Sequence, residues 1–270
     1  MGVVNVTPDS FSDGGQWFDA NAAIAHGIEL VAQGAAILDV GGESTRPGAE
    51  PVSEAEELHR VVPVLEGLRG AGARLSIDTS KAAVAAAALD AGATIVNDVT
   101  ALRGDRAMAR LVAERGCVCV LVHMLGEPRT MQRDPTYGDV VGDVKAFLAE
   151  RLRFAVAHGI AEERVWLDPG IGFGKTIDHN LELLRRLGEL VELGRPLVVG
   201  TSRKAFLGAI TGRGPQERVA GTIATNVLAL ASGASIFRVH DVAQARDALT
   251  VAAATLAGRW HPEATPTTRR

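Results

Sequence analysis

The sequence is short of several things, and each shortage removes a class of protein. Aromatic residues make up only 4% of its 270 residues, with a single tyrosine. A core must then come from Ala, Val, Leu and Ile, and a hydrophobic content of 47% is enough to build one. Net positive charge is missing: the chain carries a formal −4. That argues against non-specific nucleic-acid binding, which needs a basic face. No apolar run reaches ~18 residues, so a membrane-spanning helix is not expected. No basic-then-apolar segment opens the chain as a secretion signal would. There are two cysteines, Cys117 and Cys119. Two apart in a predicted strand, they point to one face and are badly placed to pair, so both are read as core thiols. All of this describes a cytosolic, cytoplasmic globular protein.

Glycine, by contrast, recurs at a regular station. A helix-like stretch ends at Gly34, Gly72, Gly92, Gly116, Gly159, Gly194 and Gly233, and an apolar run follows each. Glycine suits the left-handed position after a helix C-terminus. The runs read as strands at 36–40, 74–77, 94–97, 117–123, 165–167, 197–200 and 236–239, with one more at 1–6. Ser53 with Glu56 matches a capping box, and Thr79 or Ser80, Asp105 and Asp241 suit helix N-caps. Eight strand–helix units predict the α/β class and a parallel sheet closed as a single (β/α)8 TIM barrel. An open doubly wound sheet would have fewer units and a dinucleotide fingerprint. No linker divides the chain. Residues 1–258 form the barrel, and 259–270, with Pro262, Pro266 and two final arginines, read as a disordered tail. The first strand starts almost at Met1, without the segment that usually closes a barrel's floor, which leaves the true start of the chain open.

In such a barrel the active site forms at the C-terminal ends of the strands. The polar residues there are Asn5, Asp39 with Glu43, Asp78, Asn97, His123, Asp168, Ser202 with Lys204, and Arg238 with His240. Asp39, Glu43 and His123 are read first as ordinary caps or loop residues. Asp78, Asn97, Asp168 and Lys204 converge from strands three, four, six and seven. A carboxylate accepts two parallel N–H bonds, an asparagine both donates and accepts, and a lysine donates to a carbonyl. Together they match a flat heterocycle with an aminopyrimidinone edge. Asn5, Arg238 and His240 lie where this fold often binds phosphate, and Asn5 could supply a neutral oxygen to a hydrated Mg²⁺.

The loop from Asp168 to Thr176 tempts two other readings. Its Gly174-Lys175-Thr176 ending resembles a phosphate-binding loop, but Pro169 stands where that loop needs glycine. Its alternating glycines are not the dinucleotide spacing. Thr176 is read instead as a helix N-cap. Two further loops, 7–15 and 41–48, are glycine-, serine- and proline-rich and suit mobile lids.

These residues carry a resemblance. The run Met1-Gly2-Val3-Val4-Asn5-Val6-Thr7-Pro8-Asp9-Ser10-Phe11-Ser12-Asp13-Gly14-Gly15 and the run Asp39-Val40-Gly41-Gly42-Glu43-Ser44-Thr45-Arg46-Pro47-Gly48 resemble the dihydropteroate synthases, a family of pterin-binding enzymes. So do Ser76-Ile77-Asp78-Thr79, Asn97-Asp98, 168–175, 200–204 and 237–241, in the family's order. The resemblance implies a Mg²⁺-assisted transferase joining 6-hydroxymethyl-7,8-dihydropterin diphosphate to p-aminobenzoate. Asp78, Asn97, Asp168 and Lys204 would bind the pterin. Asn5, Arg238 and His240 would bind the diphosphate with the metal. Phe173 and Pro47 would wall the aminobenzoate near Ser202, Thr45 and Arg46, and Phe11 and Asp13 would belong to the lid. Bond breaking would run ahead of attack, in an SN1-like path. The resemblance also implies competitive inhibition by sulfonamides and a homodimer. One departure stands out: Ala205 occupies a position that is often serine in related sequences. Two alternatives share the barrel: a non-catalytic pterin-binding paralogue, and a methyltetrahydrofolate-binding methyl-transfer domain. The first should have eroded Thr45-Arg46-Pro47 or Ser202-Arg203-Lys204, and the second would not need Asn5, Arg238 and His240.

Overall fold

The computed structural model describes residues 1–7, 20–44 and 48–260. The expectations at Phe11, Asp13, Thr45, Arg46 and Pro47, and those for the tail from residue 261, fall outside the described residues. Eight strands run in chain order: β1 Gly2–Asn5, β2 Ile37–Gly41, β3 Arg74–Asp78, β4 Ile95–Asp98, β5 Val118–Val122, β6 Val165–Asp168, β7 Val198–Val199 and β8 Ile236–Phe237. Between and after them lie α1 Ala20–Ala32, α2 Glu54–Leu68, α3 Ala82–Asp90, α4 Met108–Arg115, α5 Val140–Ala157, α6 Ile177–Arg185, α7 Gly188–Val191, α8 Ala205–Thr211, α9 Val219–Ala231 and α10 Val242–Ala257.

Strands β1 to β6 pair in sequence order, all parallel, and β7 pairs with β8. Two single bridges join these groups, Leu167 with Leu197 and Gly2 with Val239. The second is made by Val3 N–H to Val239 O at 3.0 Å and Val239 N–H to Met1 O at 2.9 Å. The ring is therefore closed, as the eight-unit pattern requires. The last two strands are two residues each, shorter than their apolar runs.

Strand parity sorts the side chains. In β5, Cys119 and Leu121 pack outward among the helices, in one cluster with Leu38, Val40, Ile77, Val96 and Leu167. Val118, Val120 and Val122 point inward with Ile37, Ile95 and Val198. Cys117 and Cys119 share the helix-facing cluster and are both free thiols, as their spacing implied. Alternation along each strand then places Asn5, Asp39, Ser76, Asp78, Asn97, Asp168 and Arg238 in the lumen. The floor is hydrocarbon, and the upper lumen is polar.

The seven glycines at helix ends all adopt left-handed backbone, with φ between 57° and 110°. The caps are met less evenly. Ser53 accepts from the Glu56 N–H at 3.2 Å, and Thr176 with His179 makes a reciprocal capping box. Asp105 is not the N-cap of α4, which is Ala107; its carboxylate accepts from Ala107 N–H and from Ala82 N–H at the start of α3. Neither Thr79 nor Ser80 caps α3, whose N-cap is Lys81. Asp241 precedes α10 but spends its carboxylate on Arg203.

Because the lumen is ringed by backbone, it collapses poorly around a deletion. Ile95→Ala is expected to lower stability by ~2–5 kcal/mol in denaturant titrations, against ~0.5 kcal/mol or less for the exposed Ile28→Ala.

Candidate active site

The strand register stacks the lumen in layers. Asn5 pairs with Gly41, Gly41 with Asp78 and Asp78 with Asn97, which makes one upper row. Val3, Asp39, Ser76 and Ile95 form the row below. Gly41 gives Asp78 its room, since a Cβ there would lie 3.3 Å from the Asp78 Cβ. Asp39 is 0% exposed. Its Oδ1 accepts from Ser76 Oγ at 2.6 Å, and its Oδ2 from Arg238 Nε at 2.6 Å and Asn97 Nδ2 at 3.1 Å. Arg238 Nη2 also donates to Asp78 Oδ2 at 2.8 Å. One guanidinium thus holds two carboxylates from neighbouring strands.

These neighbours set the charge states. Burial raises Asp78 to about 7; Arg238 pulls the other way and Asp39 adds to the rise. Burial alone would lower Arg238, but Asp39 and Asp78 outweigh it and leave the guanidinium firmly protonated. Burial, then the Arg238 charge, lowers Lys204 to about 8, with Asp168 and Asp78 opposing. Asp168 is raised by burial, against its hydrogen bond from the Gly170 N–H and the charge of Lys204. Its Oδ1 takes that N–H at 2.7 Å; among the described residues no such donor meets Oδ2.

The β7 and β8 ends meet through Ser202 and His240. Ser202 Oγ accepts from His240 N–H at 3.1 Å and lies 3.0 Å from His240 Nδ1, a bond in which either atom can donate. Where Ser202 is the donor, the neutral ring carries its proton on Nε2. Burial, with Arg238 and Arg203, lowers His240 to about 3. The histidine is therefore neutral and would meet a ligand without a positive charge. Arg203, between Ser202 and Lys204, has φ 58°, a left-handed backbone that costs a side-chain-bearing residue free energy. Two clamps hold it: its guanidinium pairs with Asp241 at 2.6 and 3.1 Å, and Arg218 Nη1 donates to its carbonyl at 3.0 Å. The Lys204 ammonium stands 4.2 Å from the centre of the Phe173 ring. Pterin-side and aminobenzoate-side candidates are therefore in contact.

Three residues that read as caps or loop residues have larger parts in the structure. Asp39 is the buried acceptor on which Arg238, Asn97 and Ser76 converge. The signal was present, since an acid between Leu38 and Val40 on an apolar strand must point into the lumen. Glu43 is no idle loop residue: it accepts from Lys81 and from the Val52 N–H at 3.3 Å, closing the base of the loop 43–52. Lys81 also pairs with the buried Glu57. His123 is buried against Lys175. Nothing in one-dimensional spacing marks Ser76 or Arg218.

Fold and site define a barrel enzyme whose mouth gathers carboxylates, an amide, a lysine and an arginine at the strand ends. The family described as pterin binding enzyme matches residues 1–240. The chain is 45% identical over 256 residues to the dihydropteroate synthase of Haemophilus influenzae, covering 94% of this chain and 93% of that one. Two solved structures superpose closely. The Yersinia pestis dihydropteroate synthase, in a sulfonamide drug complex, gives a TM-score of 0.90 at 45% identity, covering 95% of this chain and 93% of that one. The Xanthomonas albilineans dihydropteroate synthase, in complex with 7,8-dihydropteroate, gives 0.85 at 45% identity, covering 98% and 93%. The chain belongs to the pterin binding enzymes and, within them, to the dihydropteroate synthases, which are transferases.

Removing the charge of Asp39 should unpair Arg238 while leaving the volume unchanged. Asp39→Asn is expected to cost about 2 kcal/mol or more in urea unfolding, short of the ~3–5 kcal/mol of a fully buried pair because the guanidinium is partly exposed.

Proposed function

We propose that the chain joins 6-hydroxymethyl-7,8-dihydropterin diphosphate to p-aminobenzoate, giving 7,8-dihydropteroate and pyrophosphate, in the cytoplasm. The observation that carries this is the convergence of Asp78, Asn97, Asp168 and Lys204 in the lumen beside Arg238. The carboxylates of Asp78 and Asp168 accept the N–H edge of the pterin. Asn97 spends its N–H₂ on Asp39, so its carbonyl oxygen is the part turned to ligand. Lys204 donates to the ring carbonyl. Arg238 and the His240 Nε2–H bind the diphosphate, with Asn5.

The bond from the exocyclic CH₂ to the diphosphate oxygen breaks first, and its electron pair leaves with the diphosphate. The dihydropterin ring delocalises the positive charge left on carbon. The p-aminobenzoate nitrogen then forms the C–N bond and sheds a proton. The neutral arylamine suffices for such a cation, so no strong base is needed at the site. Phe173 and Pro47 wall the aminobenzoate beside Ser202, Thr45 and Arg46. Its carboxylate meets backbone N–H groups at the start of α8, where Ala205 offers no hydroxyl. Phe11 and Asp13, on the first loop, help keep water from the cation. Sulfonamides compete for the aminobenzoate position, a reading supported by the drug bound to the Yersinia pestis enzyme.

Magnesium, where the reaction uses it, would be held beside the diphosphate by Asn5. Among the described residues no group of three His, Cys, Asp or Glu could hold a metal. Asp39 and Asp78 are already engaged by Arg238. The donor set that fits is the Asn5 amide oxygen together with phosphate oxygens and water, since Mg²⁺ takes few protein ligands and keeps its waters. When bound, the ion neutralises charge on the leaving group.

The assembly is a homodimer in this reading. Ile210, Leu228, Val251 and Leu256 are exposed on α8, α9 and α10, and α9 packs against α10. Two free thiols suit a reducing compartment.

Two measurements test the reading. Pyrophosphate release should require both substrates; release with the pterin diphosphate alone, at the full rate, would refute the transfer. Affinity for the pterin should rise with pH until Asp78 is ionised near 7 and fall as Lys204 loses its proton near 8. Calorimetry should find the tightest binding between those values, and Asp78→Asn should flatten the acid side.

A further inference from the structure

We infer that Lys175 is a positioning residue, whose buried ammonium clips the β6–α6 loop and so presents Asp168 and Phe173 together. The inference rests on the reading of those two residues as substrate contacts.

Lys175 is 3% exposed. An ammonium so placed costs free energy unless each N–H finds an acceptor. All three do. Nζ donates to the carbonyl oxygens of Gly170 and Phe173, each at 3.0 Å, and to Nδ1 of His123 at 2.9 Å. His123 is kept neutral by burial and then by the lysine's own charge, which lower it to about 2, so Nδ1 can accept. The two carbonyls lead to the site. Gly170 N–H holds Asp168 Oδ1 at 2.7 Å, and Gly170 O also takes the Phe173 N–H at 3.0 Å. Lys175 therefore grips both ends of a turn whose first partner is the carboxylate and whose last is the ring beneath Lys204.

A packing role alone does not account for this. A hydrocarbon side chain would fill the space without burying a charge. It could not hold a loop in which Gly170, Gly172 and Gly174 all have φ between 63° and 83°, because glycine supplies no stiffness of its own. The loop is also pressed hard onto β5. A Cβ on Gly170 would lie 1.8 Å from the His123 carbonyl oxygen, so the backbone has no slack there. Other struts act elsewhere: Asn180 Oδ1 takes Gly172 N–H at 2.7 Å, Gln132 donates to Gly172 O at 2.6 Å and Tyr137 to Gly174 O at 2.7 Å. Among the described residues, only Lys175 brings a side-chain donor to the carbonyls of Gly170 and Phe173.

The test compares wild type, Lys175→Met and Lys175→Gln at pH 6.5, below the value of about 7 to which burial lowers Lys175. Calorimetry gives the Kd for 7,8-dihydropteroate, circular dichroism and melting report folding, and steady-state kinetics separate KM from kcat. Lys175→Met is expected to fold and to bind about tenfold or more weakly, roughly the loss of one charged hydrogen bond. KM for both substrates should rise by more than kcat falls. Lys175→Gln, which keeps two N–H donors, should recover part of the loss. A folded Lys175→Met with wild-type Kd, or a Gln variant no better than Met, would overturn the inference and leave the proposed function standing. Failure of the wild type to bind would instead remove the proposed function. Should neither variant fold, hydrogen exchange of the ligand-free wild type decides: slow exchange of the Gly170, Gly172 and Phe173 amides supports a pre-set loop, and exchange at open-chain rates overturns it.

Discussion

The Arg238 guanidinium, lodged between Asp39 and Asp78, is the interaction on which the upper barrel depends. It ties residues 199 and 160 positions apart in sequence. It also spans the seam where β8 meets β1 through a single bridge. Such a pair is weak evidence of stability, because desolvating its charges offsets much of their attraction. Its effect is on position and charge. Asp39 has every nearby donor aimed at it, which orients Asn97 and Arg238 from below. Asp78 shares the same cation, yet its ionisation is costly enough to sit near neutrality. A ligand bringing its own N–H donors can complete what Arg238 only partly supplies.

Around this pair, backbone that ordinary strands and helices do not use is held by side chains. Arg203 keeps a left-handed conformation because Asp241 and Arg218 brace it on either side. That turn brings Ser202 to His240 and Lys204 to the ring of Phe173. The glycine-rich loop after β6 is braced in the same fashion by Lys175, Asn180, Gln132 and Tyr137. Both loops are therefore fixed surfaces, which would suit the proposed reaction, one that relies on positioning and charge neutralisation more than on a strong base.

The charge pattern has a consequence for leaving-group chemistry. Arg238 and Lys204 are balanced by Asp39, Asp78 and Asp168, and His240 is neutral. The lumen alone does not attract an anion strongly. A diphosphate would gain most from Arg238 if it drew the guanidinium partly from Asp78 as the pterin edge took that carboxylate. The two halves of one substrate would then trade partners within a single network.

Much of this was legible before any coordinates. Eight apolar runs punctuated by left-handed glycines defined the barrel, because period-two strands and helix-ending glycines are local chemistry. The same local logic put Asp78, Asn97, Asp168, Lys204 and Arg238 at strand ends. Partnership was another matter. Asp39 reads as a cap until register sets it one row beneath Asp78, and the charge state of His240 is open until burial beside Arg238 leaves it neutral. Pro169 already excludes a phosphate loop, but nothing in the sequence gives Lys175 a role until its ammonium is found folded back under its own backbone. The fold, the roster of polar groups and the family follow from short-range pattern and could be read from the chain alone. Which of those groups pair, which are charged and which lie free for a ligand was decided only by the closed tertiary structure, because hydrogen-bond geometry and desolvation depend on distances between residues far apart in the chain.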